Sequence, residues 1–246
     1  MKRDHPLACQ DHRPWPIPAA PWTWRQSWLD LLFAHWPVPA SELRPLVPSE
    51  LELQEFDGSA WLGLVPFRMA GVMRRPLPDM PGISAFPELN VRTYVEHGGK
   101  PGVWFLSLDA ANYLAVWAAR RFFHLPYHYA EMSLTPQGDD IHYSSRRAGA
   151  ELVGSYAPTS EPYSAARSTL EHWLTERYCL YGKAPDGSLW RNDVQHHPWP
   201  LQHARASFDR NTMFSVHGLT VEGPPALLHF ARRLDVVVWN GERVAP

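Results

Sequence analysis

The chain has 246 residues, of which 45% are hydrophobic and 20% charged, with a formal charge of −2 at pH 7. So much apolar material excludes a disordered or fibrous chain, and the near-neutral charge leaves no electrostatic footprint for nucleic acid or an anionic membrane surface. Of the 23 basic residues only Lys2, Lys100 and Lys183 are lysines, a bias that matters because amine and guanidinium chemistry are not interchangeable.

The first residues carry no apolar run of the signal-peptide kind, and a cytoplasmic protein is expected. The longest apolar stretch, residues 110–119, contains Asn112 and is about half of the roughly 20 residues that a membrane helix needs. Cys9 and Cys179 make no Cys-x-x-Cys motif, and Cys179 reads as a small buried apolar residue.

Residues 1–21 hold five prolines and read as an extended lead-in outside the core. The apolar segment 22–36 is stopped by Pro37-Val38-Pro39, after which Ser41 is placed to cap a short helix through Arg44. Alternation from Leu51 to Phe56, a turn at Asp57-Gly58 and the run from Trp61 to Val65 predict a hairpin. In the strand over 88–95, Leu89, Val91, Thr93 and Val95 share one face, and Glu88, Asn90, Arg92 and Tyr94 the other. Gly98-Gly99 turns the chain into a strand over 103–108. Asp109 is expected to cap a helix to about Phe122, on which Tyr113, Val116, Trp117 and Arg120 share a face.

Strands are predicted over 129–134 and 141–146, joined at Pro136-Gln137-Gly138-Asp139. A helix over 168–178 opens on a capping-box pattern, Ser168-Thr169-Leu170-Glu171. Further strands are predicted over 188–190, 204–208, 227–230 and 236–239. This pattern predicts a mainly β barrel or sandwich with two principal helices and a short N-terminal one, as a single domain over 22–246.

The polar face of Glu88, Asn90, Arg92 and Tyr94 reads as a solvated outer surface by default, and as a functional lining if it faces an interior. Glu88 and Arg92 lie about 13 Å apart on an extended strand, so each needs another partner. Of the histidines, His196, His197 and His203 form the densest cluster. Adjacent histidines on a strand point to opposite faces, which favours ordinary hydrogen-bonded roles over a metal site. The run Thr175-Glu176-Arg177-Tyr178 and the aromatics Tyr181, Trp190 and Trp199 could line a pocket but read first as core.

Several segments together resemble the YqjF-like proteins, a bacterial family of unknown function: Phe33-Ala34-His35-Trp36-Pro37-Val38-Pro39, Phe86-Pro87-Glu88-Leu89-Asn90-Val91-Arg92-Thr93-Tyr94-Val95, Leu174-Thr175-Glu176-Arg177-Tyr178 and His197-Pro198-Trp199-Pro200-Leu201. The resemblance runs from Trp22 to Trp239 and implies the acetoacetate decarboxylase-like fold, a mainly β domain around a closed pocket. In acetoacetate decarboxylases a strand glutamate and a helix arginine precede Gly-x-Pro-Lys-Lys, whose lysines serve the Schiff base. The matching positions here are Glu88, then Arg120 and Arg121, then Leu125-Pro126-Tyr127-His128, with Tyr127 and His128 where the lysines stand. The resemblance therefore implies the container without its amine.

On that basis Glu88, His128 and Tyr127 are the candidate catalytic residues, and Arg92, Asn90 and Arg120 the candidate substrate-binding ones. The expected partner is a small molecule with a carboxylate or carbonyl group, handled by lyase, hydratase or isomerase chemistry or bound without turnover. No cofactor, metal, nucleic acid or membrane is expected, and association with further copies of the chain stays open.

Overall fold

The computed structural model describes residues 5–78 and 84–245; Lys2 lies outside them. Among the described residues the strands are β1 (Trp24–Val38), β2 (Glu52–Leu53), β3 (Ala60–Arg74), β4 (Phe86–His97), β5 (Lys100–Ala110), β6 (Tyr127–Tyr129), β7 (Glu131–Gln137), β8 (Asp140–Arg147), β9 (Ala150–Pro158), β10 (Cys179–Lys183), β11 (Leu189–Gln195), β12 (Gln202–Asn211), β13 (Leu227–Val238) and β14 (Glu242–Ala245). The α-helices are α1 (Ala40–Leu43), α2 (Tyr113–Phe123) and α3 (Leu170–Thr175). The mainly β class expected from the pattern is what the chain adopts.

All fourteen strands join one sheet, in the order β14-β11-β10-β5-β4-β3-β1-β13-β12-β9-β8-β7, with β2 on β4 and β6 on β5. The sheet curls, because β11 also meets β13 through Val194↔Val238 and Gln195↔Val237. Only β10 and β6 run parallel to their neighbour β5. β12 leaves β13 after Gln202↔Phe230 and His203↔His229 to pair along most of its length with β9. The segment β12-β9-β8-β7 thereby forms a second layer over the outside of the curl.

Two cores follow from this. Alternate residues of β1, β3 and β4, such as Phe33, Val65, Phe67 and Tyr94, face the inside of the curl. Their neighbours Leu32, Ala34, Leu64, Leu89 and Val91 face the second layer, where they meet Ile141, Tyr143, Leu152 and Tyr156. Strands buried on both faces lose the polar-apolar alternation of a one-sided sheet, which is why the segment 22–36 has no clear period.

Several sequence expectations shift. α1 follows Pro39 with no side-chain cap, so Ser41 does not cap it. The turn at Asp57-Gly58 forms, closed only by the Phe56–Ser59 bonds, but β2 pairs with β4 (Leu53↔Val95) and not with β3. Asn112, not Asp109, caps α2, its Oδ1 accepting from the Leu114 and Ala115 amides at 3.0 and 3.1 Å. Asp109 is a fully buried residue of β5, paired with Arg147. Of the expected α2 face only Val116 is buried, with Ala119, while Tyr113 and Trp117 are exposed.

Thr169, not Ser168, caps α3, which stops at Thr175. The two strands expected over 227–239 are one strand, β13; the apolar segment 22–36, not predicted as a strand, forms β1, and β9, β10 and β14 have no counterpart in the sequence reading. The Pro-rich lead-in is joined to the sheet: the Arg13 side chain is 1% exposed and pairs with Asp193 of β11 at 2.5 Å, and Trp15 Nε1 donates to the same carboxylate at 2.8 Å.

Candidate functional site

β4 lies between β3 and β5, so both of its edges are paired, and the two cores cover its two faces. Strand alternation sends Glu88, Asn90, Arg92 and Tyr94 to the inside of the curl. Glu88 and Asn90 are buried, which overturns the default reading of that face as solvated. Tyr127 enters beside Leu108 on the short parallel strand β6 and its Oη donates to Glu88 Oε2 at 3.0 Å. Asn90 Nδ2 donates to Glu88 Oε1 at 3.4 Å. From the second layer, Tyr143 Oη donates to the Glu88 backbone carbonyl at 2.7 Å, fixing this part of β4.

Glu88 therefore meets only neutral donors. Burial outweighs the two hydrogen bonds and raises its pKa to about 8, so the carboxyl is mostly protonated at neutral pH. Burial and the neighbouring Glu88 push the Tyr127 hydroxyl well above its ordinary value, which keeps it a donor.

Further along β4, Arg92 Nη2 donates to Tyr94 Oη at 3.2 Å, and its guanidinium lies over Phe33 and Tyr94 at 5.1 and 5.5 Å from the ring centroids. His35 shares the Tyr94 hydroxyl at 2.6 Å and is held well below its ordinary pKa by burial and by Arg92. Gly63 makes this arrangement possible, since a Cβ there would lie 3.2 Å from both the Arg92 and the His35 side chains.

A second guanidinium joins from the end of α3. Arg177 Nε donates to the Trp173 carbonyl at 2.6 Å and Nη1 to Gln54 Oε1 at 2.5 Å, while Gln54 in turn donates to Glu96. Burial lowers the Arg177 pKa to about 10, which leaves it cationic at neutral pH. Among the described residues neither Arg92 nor Arg177 makes an ion pair with a carboxylate. Arg92 Nε, Arg177 Nη2 and Asn90 Oδ1 are buried without a hydrogen-bond partner, the condition that native interiors generally avoid.

These groups line a small inner chamber of ≈ 60 Å³, walled by aromatic residues that include Trp28 and Trp199. Above it, between α2 and the ends of β1 and β3, opens a larger and mainly apolar vestibule of ≈ 330 Å³. Glu88 and Tyr127 line both spaces, so they stand at the neck between them.

Of the candidate catalytic and binding residues, Glu88, Tyr127, Asn90 and Arg92 converge on the chamber, and His128 and Arg120 do not line it; His196 lines it too. His128 follows Tyr127 on β6 and so points to the other side. Burial and Arg147 lower its pKa. There it neighbours a separate polar cluster in which Asp109 accepts from Arg147 at 2.6 Å and from Ser145 at 3.1 Å. Arg120 is exposed and its Nε donates to the Tyr127 carbonyl at 2.6 Å, holding the strand that carries the hydroxyl. His196 is buried, with ring nitrogens 2.7 Å from the His197 carbonyl and 3.4 Å from that of Arg177, while His203 sits on β12 beside Tyr163. Lys183 pairs with Glu50 at 3.6 Å and the Lys100 ammonium lies over Trp15, so neither amine reaches the chamber.

Arg177 and Trp199, which the sequence allowed in a pocket but favoured as core, do line the chamber, and sequence reasoning missed Trp28. The available signal for Arg177 was an arginine set between the aromatics Trp173 and Tyr178, which read as core.

A family profile described as an uncharacterised conserved protein, DUF2071, matches residues 25–235. The chain belongs to the DUF2071 family. A relative from Bacillus subtilis (strain 168), the uncharacterised protein YqjF, is 48% identical over 226 residues, covering 91% of this chain and 93% of its own. Among solved structures, the DUF2071 chain is similar to the enduracididine biosynthesis enzyme MppR complexed with pyruvate, with a TM-score of 0.63 at 12% identity over 91% of both chains. It is also similar to the acetoacetate decarboxylase of Legionella pneumophila, with a TM-score of 0.61 at 13% identity over 96% of this chain and 94% of that one. At such identities the likeness establishes the acetoacetate decarboxylase-like fold for this DUF2071 protein.

Proposed function

We propose that the chamber binds a small carbonyl compound carrying a carboxylate, and that Glu88 and Tyr127 perform acid–base chemistry on it without a covalent lysine. One observation carries this reading: a buried, largely protonated carboxyl stands at the neck of a chamber whose other polar wall holds two guanidiniums without an acid partner. Arg92 and Arg177 offer charge-assisted hydrogen bonds to a ligand carboxylate. Tyr127 Oη, kept protonated, donates to the carbonyl oxygen, and Glu88 moves a proton to or from the carbon beside it. A pKa of about 8 suits either direction, since a carboxyl so raised is a stronger base when ionised and an available acid when not. Among the described residues no lysine lines the chamber, which favours this course over imine formation. The fold neighbour solved with pyruvate supports a ligand of this size and charge.

The test is proton–deuterium exchange at C3 of 2-oxobutyrate in D2O, followed by NMR. The wild-type protein is expected to accelerate exchange, Glu88→Gln to abolish that acceleration and Tyr127→Phe to reduce it. Acceleration that is indifferent to Glu88→Gln sinks the assignment. Binding that depends on Arg92, with no exchange and no turnover, makes the chain a non-catalytic binder or sensor instead.

A further inference from the structure

We infer that the substrate class of this site is a carboxylate with an extended apolar chain, head in the inner chamber and tail in the vestibule beneath α2. This inference rests on the head assignment just proposed and goes beyond it. A buried water needs about 10–15 Å³ of such space, so a chamber of ≈ 60 Å³ accepts a head of only a few heavy atoms. Anything larger must pass Glu88 and Tyr127, and what lies beyond them is not water-loving surface. The vestibule is lined by Trp24, Met69, Phe86, Leu114, Trp117 and Phe123 among others, and its polar groups are Arg74 and the shared Gln26, Glu88 and Tyr127.

A second observation points the same way. The most exposed large apolar residues, Leu77, Tyr113, Leu114 and Trp117, lie on α2 or on the vestibule rim, at 57%, 68%, 60% and 62% exposure. Scattered apolar exposure is ordinary, but a contiguous patch continuous with a cavity marks a binding surface. An alkyl or aryl tail in the vestibule removes water from both the rim and the interior, while the rigid chamber fixes the reacting end.

The experiment is calorimetric titration of the whole chain with straight-chain 2-oxo acids from pyruvate to 2-oxooctanoate. Affinity is expected to rise about four-fold per added methylene until the vestibule is filled. Ala118→Phe, which places a ring in the vestibule, is expected to flatten that series. Trp117→Ala, at an exposed position where folding is not at stake, should lower the ratio of 2-oxooctanoate to pyruvate affinity. Arg92→Leu should weaken every member alike. A flat or falling series in which binding still depends on Arg92 overturns the tail and leaves the proposed head site intact. If no 2-oxo acid of any length binds, both assignments fall. A wild-type dimer that Trp117→Ala converts to monomer also overturns the inference, because the apolar rim would then serve a second copy of the chain.

Discussion

Asp193 and Glu88 are both buried acids on central strands, and their surroundings treat them in opposite ways. Asp193 accepts from Arg13 at 2.5 Å, from Trp15 at 2.8 Å and from Arg191 at 3.1 Å, so each oxygen faces a cation. Glu88 faces a tyrosine and an asparagine, and its pKa rises to about 8. Arg92 and Arg177, the cations that could have neutralised it, sit elsewhere on the chamber wall without ion pairs of their own. Where charge holds elements together, as where Arg13 ties the lead-in to β11, it is paired. Around the chamber acid and base are kept apart, an arrangement that costs stability and that a ligand with complementary charge would relieve.

The largest expected effect breaks the contrast at Glu88. The carboxyl titrates near 4.5 when unfolded and at about 8 when folded, so over that interval the unfolded state releases its proton first and stability falls as pH rises. The contribution is fully present below about pH 4.5 and is lost as pH climbs through about 8. At 1.36 kcal/mol per unit the loss amounts to at most about 5 kcal/mol. Glu88→Gln, neutral at every pH, should remove that slope, and denaturant unfolding of both proteins across about pH 4–9 measures it. A difference curve without slope would show that Glu88 ionises as easily inside as outside.

Asp193→Ala comes next. It leaves the buried Arg13 guanidinium without a carboxylate, while Arg191 keeps Glu242, and should cost about 3–5 kcal/mol, read from the denaturant midpoint and independent of the Glu88 interval. A loss below about 1 kcal/mol would mean that the paired cluster holds nothing together. Arg92→Leu should leave the denaturant midpoint nearly unchanged, since no carboxylate loses its partner, yet weaken carboxylate binding about 10- to 100-fold. A large fall in stability with unchanged binding would reverse the contrast, making Arg92 structural. The smallest effect belongs to Asn112→Ala, which removes the cap of the helix roofing the vestibule and should cost about 1 kcal/mol by thermal unfolding.

Much of the site was legible in one strand. The alternation Glu88, Asn90, Arg92, Tyr94 identifies side chains that share a face whatever lies opposite. Tyr127 was legible only through the resemblance, and the same resemblance brought His128 with it, although adjacent residues on β6 cannot face one chamber. Arg177 was a possible pocket residue that read first as core, because nothing local beside Trp173 and Tyr178 says that the core has a polar pocket at that point. The capping errors at Asp109 and Ser168 have a common origin. Several polar residues near a helix start can each serve as a cap, and the choice falls to whichever is not already engaged; Asp109 is committed to Arg147 across the second layer.

The sequence by itself determined the mainly β class, the family, the shared face of β4 and the lack of a lysine at the matching positions, because these depend on residue identity and on a period of two. Tertiary structure alone decided that this face looks inward, that β12 folds a second layer over it, and that Arg177, just past α3, lines the same chamber as Arg92 from β4. Burial and long-range pairing are properties of how strands meet, and a strand covered on both sides no longer displays in its own pattern which side is which.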